Sequence, residues 1–549
     1  MARPAALLAV TFGLALGIPA AAQTPAQTAH PGVFGEALDV RVVNVEVVVT
    51  DKKGTRVDGL RAEDFTLEVD GKVVPIDYFA EVVGGRVGEG GTAEAPAAAV
   101  PPAAEAGAPL GVSWLVFVDD YFSVQRDRNQ VLEALSKQLG HLGPADRMAV
   151  VAFDGKRLTM LSTWSDSPRA LERALAAAEK RPAMGLQRLA ERRSLVDDQD
   201  QRTRGGLPRM SADPTHLDPD ERRFVDLLTS QVQRSVGAAA ATLRAFAAPP
   251  GRKAMLLLSG GWPWRPVDSV VADPNRVVTE STVGAEPLFR PLADVANLLG
   301  YTLYPVDVPG MSQRLVDVSL GGPPSFGSAI AESRREQDLH LSLDWLAETT
   351  GGRAFLNANR LSVFEETVTD TRSFYWLGFT PKRSGDDKPH AVKVTVKRPG
   401  LEVRSRNGFL DASRNAEVSM AVESALLFGN PASSLPLQVA VGKPEKMRGR
   451  TMKVPIVLQV PLDQLTPLPT ADGQVVQVEL RVGAQDADGN TAAIPVIPLQ
   501  MKLAGPVKPG DTGRYATDLL LRRGEHDLVI ALYEPVSGKV FSASARIAP

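Results

Sequence analysis

The chain changes its pattern of apolar and polar positions along its length, and each pattern predicts a different kind of structure. From about residue 113 to 372, short continuous apolar runs alternate with segments in which apolar residues recur every three or four positions. A run such as Trp114 to Val118 is typical of a strand buried on both faces, whereas the wider spacing is typical of an amphipathic helix. This region therefore predicts a doubly wound α/β sheet with helices on both faces.

The same region predicts one antiparallel edge strand. The buried run Met148 to Phe153 is separated from Leu158 to Leu161 only by the turn at Asp154 to Lys156. That turn is too short for a parallel crossover, so the third strand must run antiparallel to the second. We expect six strands, of which the last three are Ala254 to Leu258, Tyr301 to Val306 and Arg353 to Leu356. The charged, proline-containing region 185–220 is interpreted as an inserted loop.

On either side of this region the apolar positions alternate as in strands. Residues 36–83 and 373–412 each contain too few strands to bury a core alone, so we expect them to pair in space as one composite β-sandwich. Residues 84–110, rich in Gly, Ala, Pro and Glu, predict a disordered linker. Residues 415–549 predict an immunoglobulin-like β domain, and Pro455 predicts that its strand lies at a sheet edge.

The first residues have the order of a secretory signal peptide. Arg3 precedes an apolar run from Ala5 to Leu16, and small residues follow up to Ala22. We therefore expect residues 1–22 to be removed, a soluble mature protein that begins near Gln23, and a periplasmic or secreted location. The chain has no cysteine, so neither disulfides nor a lipid-bearing cysteine contribute. The predicted segments are a signal peptide (1–22), the N-terminal half of the β-sandwich (36–83), a linker (84–110), the α/β domain (111–372), the C-terminal half of the β-sandwich (373–412) and the C-terminal domain (415–549).

Composition narrows the class of partner. The 549 residues carry a formal net charge of −3, which gives no electrostatic reason to expect nucleic acid as a partner. Beyond the first residues no apolar run is long enough to span a membrane. We therefore expect a protein partner, no nucleic acid and no membrane span.

The order of several motifs resembles a known family. Asp119 ends the first strand of the α/β region, and four flanking motifs occur in a fixed order: 43–49, 60–65, 347–353 and 374–381. Together with the antiparallel third strand, they look like a von Willebrand factor A (VWA) domain of the exported VWFA-related acidobacterial subfamily. The resemblance covers about residues 36–410 and implies a VWA or Rossmann-like sheet.

The resemblance also implies a metal-ion-dependent adhesion site, which this chain matches incompletely. The family pattern has Asp-x-Ser-x-Ser after the first strand, a Thr from a later loop and an Asp after the fourth strand. Here Asp119 and Ser123 fit, but Tyr121 replaces the first Ser and Gly260 stands where the second Asp belongs. The loop at 184–186 offers no Thr.

Because Mg²⁺ needs several oxygen ligands, we expect a degenerate site and no cofactor. If Mg²⁺ or another divalent cation does bind, Asp119 and Ser123 are its candidate ligands. The alternative interpretation is that the two residues cap the following turn and helix.

Catalytic signals are weak, and aromatic residues suggest binding instead. No Gly-x-Ser-x-Gly elbow or paired-histidine metal motif occurs, so we expect no enzyme activity. The six histidines are scattered along the chain, at His30, His141, His216, His340, His390 and His526.

Trp262, Trp264 and Arg265 follow the fourth strand, at the same edge as Asp119. Trp and Arg dominate interface hot spots, so these three are candidate partner-binding residues; alternatively, the indoles pack against helix ends. Partner binding there should survive EDTA and weaken when either tryptophan becomes Ala.

We therefore expect an exported, non-enzymatic protein-binding protein of the adhesion or scaffold type. Two alternatives stay open. One is a hydrolase with a site assembled around Asp119. The other is a structural subunit of an envelope complex, in which the β modules carry the contacts.

Overall fold

A computed structural model describes most of the chain. The described residues are 42–88, 107, 109–204, 215–247, 251–270, 278–279, 285–309, 326–357, 361–381, 386–429, 432–470, 473–487, 489–491, 494–503 and 505–548. They divide between two units, residues 42–428 and the residues from Gly429 onward. The predicted signal peptide lies outside the described residues.

Short strands open the first unit. They are β1 (Val43–Asp51), β2 (Phe65–Val69), β3 (Lys72–Val74), β4 (Tyr78–Val83) and β5 (Arg86–Val87). The turn between β4 and β5 uses Gly84 and Gly85 at positive φ, and Val87 and Leu110 are both buried in one apolar cluster. The two ends of the predicted 84–110 linker are therefore built into the folded structure, because each places an apolar side chain in that cluster; residues 89–106 lie outside the described residues.

Alternating strands and helices follow. They are β6 (Val112–Asp119), α1 (Gln125–Lys137), β7 (Arg147–Phe153), β8 (Leu158–Ser165), α2 (Pro168–Glu179), α3 (Gly185–Arg204), α4 (Pro219–Ala245), β9 (Arg252–Ser259), α5 (Glu286–Leu299), β10 (Tyr301–Asp307), α6 (Phe326–Thr349) and α7 (Val363–Thr371). The first unit ends with β11 (Phe374–Phe379), β12 (Pro389–Val396), β13 (Leu401–Ser405), β14 (Gly408–Leu410) and α8 (Arg414–Phe428).

The central sheet has the strand order β10-β9-β6-β7-β8. Its pairs are parallel except β7 with β8, which is antiparallel, as the short turn after Phe153 requires. The expected sixth strand is only a parallel bridge between Val306 and Phe355. Gly351 and Asn357 take positive φ on either side of that bridge, so the extended segment is too short to form a longer ladder.

Helices cover both faces of this sheet. Leu115 and Phe117 of β6 pack in one apolar cluster with residues of α4 and α5, while Trp114, Val116 and Val118 pack in another with residues of α1, α2 and α7. Successive side chains of a strand point to opposite faces, so a strand buried on both sides must be apolar throughout. The sheet is therefore a mixed α/β core in which the parallel strands are buried along almost their whole length.

The region 185–220 is not simply a loop, because residues 185–204 form α3. Its charged residues interact along the helix: Arg188 and Glu191 form an ion pair at 2.7 Å, three positions apart. Ion pairs at this spacing stabilise a helix. The prediction of a loop was based on the high charge content and did not consider this spacing.

The strands before and after the α/β region share two sheets. One has the order β13-β1-β11-β4-β5, and the other β14-β12-β2-β3. Both contribute to one apolar core, which includes Val47 of β1, Phe65 of β2, Tyr375 of β11 and Val394 of β12. Residues far apart in sequence thus complete each sheet, in agreement with the strand-count argument.

The second unit consists of ten strands among the described residues. They are β15 (Leu435–Pro436), β16 (Gln438–Val441), β17 (Glu445–Lys446), β18 (Thr451–Pro461), β19 (Leu468–Thr470), β20 (Gly473–Asp486), β21 (Val496–Leu503), β22 (Thr512–Arg522), β23 (His526–Tyr533) and β24 (Val540–Ile547). One sheet has the order β15-β24-β23-β20-β19 with β21 beside β20, and the other has β16-β18-β17 with β22 beside β18. Alternate residues of both sheets fill a common core.

Two expectations about this unit are wrong. Residues 414–428 form helix α8 and group with the first unit, so the boundary lies at Gly429 rather than near 415. Pro455 does not lie on an edge strand, because β18 pairs with β22 on one side and with β16 and β17 on the other. Pro455 lies between the residues of β18 that pair with β16 and those that pair with β17. At that position the missing N–H of proline removes no hydrogen bond between strands.

Across the described residues, no helix combines the length and the apolar character needed to cross a membrane.

Candidate binding edge of the α/β sheet

Three parallel strands end side by side and bring their loops to one edge of the sheet. β6 ends at Asp119, β7 at Phe153 and β9 at Ser259. In open α/β sheets ligands bind outside these carboxyl ends, where neighbouring loops leave a crevice. We call this region the carboxyl edge.

Asp119 lies at the centre of the carboxyl edge and is completely buried. Its Oδ1 accepts hydrogen bonds from the backbone amides of Tyr121 (3.1 Å) and Phe122 (3.3 Å). Its Oδ2 accepts from Ser259 Oγ at 2.9 Å and from Trp262 Nε1 at 2.7 Å. The carboxylate thus joins the loop after β6 to the loop after β9, and its bonds to the first loop agree with the capping interpretation.

Burial raises the pKa of Asp119 to about 6, and the hydrogen bonds from Trp262 and Ser259 oppose this rise. Taking a carboxylate out of water disfavours its charged form, whereas donors directed at its oxygens favour it. The surrounding donors therefore favour the ionised form of Asp119 against the effect of burial.

The residues of the degenerate motif do not fit a cation. Both oxygens of Asp119 already accept hydrogen bonds, and their donors would face any bound metal. A Cβ on Gly260 would lie 2.1 Å from the carbonyl oxygen of Phe122, so backbone fills the space where the family's second Asp would project. Ser123 Oγ is buried and has no hydrogen-bond partner among the described residues, so the predicted capping role fails for this residue. One neutral hydroxyl falls far short of the oxygen ligands that Mg²⁺ requires.

The segment 184–185 packs directly on the loop after β6. The amide of Met184 donates to the carbonyl of Asp120 at 2.7 Å, and the amide of Gly185 donates to that of Ser123 at 2.9 Å. Both contacts between this segment and the loop use backbone groups only. The interaction holds the start of α3 against the carboxyl edge.

Trp262 is not a surface contact residue. Its side chain is completely buried, stacks with Phe289 and donates its indole N–H to Asp119. The hot-spot interpretation is therefore wrong for Trp262, because an indole that satisfies a buried carboxylate cannot also face a partner.

Trp264 and Arg265 are placed differently. Trp264 is half-buried and stacks on Phe289 at a centroid distance of 5.5 Å, while Arg265 is exposed. The Arg265 amide donates to Asp338 at 3.0 Å, and burial raises the pKa of Asp338 to about 7. The packing interpretation thus fits Trp262 fully and Trp264 largely, which leaves Arg265 as the accessible member of the three.

Tyr121 forms a site that the sequence did not predict. Its hydroxyl accepts hydrogen bonds from Arg188 Nη1 and Arg234 Nη2, both at 2.9 Å. The two guanidinium groups also lie over its ring, at 4.7 and 5.4 Å from the centroid. A Cβ on Gly155 would come within 2.2 Å of this ring, so glycine is needed there to seat the tyrosine. Tyr121 therefore holds the guanidinium groups of Arg188 and Arg234 together.

A cavity of about 400 Å³ opens beside Tyr121. Four cationic side chains line it, together with the single carboxylate of Asp154; the cations are Lys156, Arg181, Arg188 and Arg234. We call it the cationic cavity. Arg181 also reaches the buried Asp120 at 2.6 Å, and Arg128 pairs with the same carboxylate from the other side. No local sequence pattern links these residues, because they come from four separate elements of the α/β region.

A second cluster of titratable groups lies away from this edge. Asp386, His390 and Asp411 can bring ligand atoms within 4.8 Å of one another. His390 Nδ1 lies 2.8 Å from Asp70, and Nε2 lies 3.5 Å from Asp386. Both ring nitrogens thus face carboxylates, an arrangement suited to a protonated imidazole rather than to a metal ligand. Sequence reasoning missed the contact with Asp70 because that residue lies 320 positions before His390.

Replacing Asp70 with Asn should lower the pKa of His390, which Asp70 raises above its ordinary value. A histidine with a raised pKa in the folded state stabilises it below the unfolded pKa, and this stability is lost as pH rises through the folded value. Asp70→Asn should therefore destabilise the protein more at pH 6 than at pH 8.5. NMR titration of His390, with urea unfolding at both pH values, tests this. An unchanged His390 pKa in the variant would contradict it, and Asp386→Asn should have the smaller effect.

The histidine contacts give little support to a hydrolytic site around Asp119. None of the four donors to Asp119 is a histidine. His340 lies 3.4 Å from Asp307, but Ser259, the residue paired with Asp307 in the sheet, directs its hydroxyl to Asp119. The serine is thus engaged as a donor to a buried carboxylate.

Comparison with known proteins adds no family. No protein-family model matches the chain, and no curated protein matches it. Similar solved structures include a Northeast Structural Genomics Consortium target (16% identity, TM-score 0.13, 20% of this chain and 85% of that one). Others are a β-glucuronidase of Bacteroides uniformis (10%, TM-score 0.15, 33% and 19%) and the putative ApaA protein from Bordetella pertussis (10%, TM-score 0.13, 21% and 93%). Scores this low carry no argument about fold or function.

Proposed function

We propose that this chain is an exported, non-enzymatic protein-binding protein of the VWA type that takes its partner at the carboxyl edge. The strand order β10-β9-β6-β7-β8, its antiparallel edge and the position of Asp119 at the end of β6 support the VWA assignment. The leader-like first residues support export. We further propose the two-sheet second unit as an immunoglobulin-like module.

The observation that carries the proposal is the contrast between the buried and open regions of this edge. Asp119 is fully buried and surrounded by donors, so it is not accessible to a substrate. Beside it, the cationic cavity is open and lined by charged side chains. The edge therefore presents binding groups without an accessible acid or base at its centre.

The binding is proposed to be independent of metal. In an adhesion site a cation bridges the domain and a carboxylate of the partner, and an open coordination position is essential. Here Trp262 and Ser259 occupy Oδ2 of Asp119, and backbone occupies the space beside Gly260. Chelation should therefore leave the interaction unchanged.

Site-specific photo-crosslinking in the native host tests the proposal. The crosslinker replaces Leu186, which is 63% exposed between the cavity-lining residues Met184 and Gln187. The matched control replaces Leu520, 66% exposed in the second unit. We expect a discrete protein adduct at 186 but not at 520, with the same yield in EDTA.

Three outcomes would count against the proposal. An adduct at 520 alone would favour the envelope-subunit alternative, in which the β modules carry the contacts. No adduct at 186 would contradict binding at the carboxyl edge. Loss of the 186 adduct in EDTA would contradict metal-independent binding.

A further inference from the structure

We propose that the cationic cavity binds a carboxylate side chain of the partner directly, through Arg234, Arg188 and the Tyr121 hydroxyl. This inference rests on the proposed function and specifies the chemistry by which the partner is recognised. A partner segment that carries both an acidic and an apolar side chain fits the site.

Charge favours an anion in the cavity. Arg188 is paired with Glu191, and Arg181 with Asp120, which Arg128 also reaches. Of the charged groups at this site, five are cationic (Arg128, Lys156, Arg181, Arg188 and Arg234) and three are carboxylates (Asp120, Asp154 and Glu191). Arg234 has no carboxylate within 4 Å among the described residues, and its side chain is exposed. A guanidinium fork matches a carboxylate in a bidentate manner, so this arginine is suited to an acidic ligand.

The hydrogen bonding of the Tyr121 hydroxyl also favours an anion in the cavity. Two guanidinium donors fill its acceptor positions, and among the residues that the structure describes no hydrogen bond from this hydroxyl to an acceptor is found. A phenol has one proton to donate. An oxygen acceptor in the cavity would complete its hydrogen bonding, and a carboxylate provides one without displacing either arginine.

A neighbouring cavity with a mostly apolar lining favours a peptide over a small anion. It measures about 110 Å³, and Phe122, Phe224 and Leu228 are among its lining residues, together with the charged Arg188, Arg192, Glu336 and Asp338. Arg188 lines both this cavity and the cationic one. A partner segment with an acidic and an apolar side chain would occupy both at once, whereas inorganic phosphate would fill only the first.

Calorimetric titration of the full chain at low ionic strength tests this inference. The probes are the blocked peptide Gly-Leu-Glu-Glu-Leu-Gly, its counterpart with Gln in place of Glu, and inorganic phosphate. We expect the Glu peptide to bind best and Arg234→Gln to weaken it about tenfold, the change expected for one charge-assisted hydrogen bond. The matched control is Arg223→Gln on the same helix, about 16 Å away along its axis and outside the cavity, which should change affinity less than twofold.

The outcomes separate this inference from the proposed function. Equal effects of Arg234→Gln and Arg223→Gln, or equal binding of the Glu and Gln peptides, would overturn the carboxylate site. Phosphate that binds as tightly as the Glu peptide would overturn the peptide ligand. If the crosslink at position 186 persists in either case, the partner uses the carboxyl edge through other groups and only this inference fails.

Discussion

Replacing Asp119 with Ala should lower the free energy of unfolding by about 3 kcal/mol, because it leaves several buried donors without an acceptor. Trp262 Nε1 and Ser259 Oγ are completely buried and both donate to Asp119. Each such orphaned group costs about 1–3 kcal/mol, and relief of the buried charge offsets some of the total. Urea unfolding followed by tryptophan fluorescence provides the measurement.

The effect of Asp119→Ala should also depend on pH. Burial raises the pKa of Asp119 to about 6, so the folded state binds this proton more tightly than the unfolded state does. The stability contributed by Asp119 therefore decreases as pH rises through this range. The loss should be larger at pH 5 than at pH 7.5, by about 1 kcal/mol. Asp166→Ala, an exposed control, should change stability by less than about 0.5 kcal/mol at either pH. Equal small losses in the two variants would show that Asp119 does not hold the two loops together.

Placing an acid at position 260, where the VWA pattern has one, should destabilise the protein rather than create a metal site. Any Cβ there lies 2.1 Å from the Phe122 carbonyl oxygen and 2.7 Å from the Ser123 Cα. Backbone atoms cannot move aside as the end of a flexible side chain can. We therefore expect Gly260→Asp to lower the free energy of unfolding by about 3 kcal/mol or more. Thermal and urea unfolding with and without Mg²⁺ test this prediction.

The matched control is Gly237→Asp in α4, where a Cβ meets nothing within 4 Å and the residue is exposed. It should alter stability by well under 1 kcal/mol. A Gly260→Asp protein as stable as the control, or one that Mg²⁺ stabilises strongly, would contradict the close packing of the two loops.

The sequence was most informative where the pattern was local. The apolar run at 114–118 and the tight turn after Phe153 predict buried strands and one antiparallel neighbour, and the sheet has both. Strand counting likewise predicted that segments on either side of the α/β region share sheets, although it did not predict that β1 lies between β11 and β13. Residue 185 onward was misjudged because charged residues at helical spacing have the same composition as a loop.

The site was harder to predict because its contacts are not local. Trp262 meets a carboxylate 143 positions earlier, and Tyr121 meets arginines 67 and 113 positions later. From the sequence, a tryptophan after a strand fits an interface and a core equally well. A tyrosine at a position where the resembling pattern has a ligand indicates only that this ligand is absent, not what the tyrosine contacts. Position relative to the sheet was predictable; which side chains meet there was not.

We propose that the carboxyl edge binds its partner without a metal, because hydrogen-bond donors of the protein itself occupy both oxygens of Asp119. Calorimetric titration of Mg²⁺ into the full chain tests it most directly, with Ser123→Ala and His390→Asn as variants that separate this edge from the Asp386–His390–Asp411 cluster. We expect the wild type and Ser123→Ala to give the same heats, with no saturable binding of Mg²⁺ at the edge. A saturable one-to-one binding heat in the wild type that Ser123→Ala abolishes and His390→Asn leaves intact would contradict it.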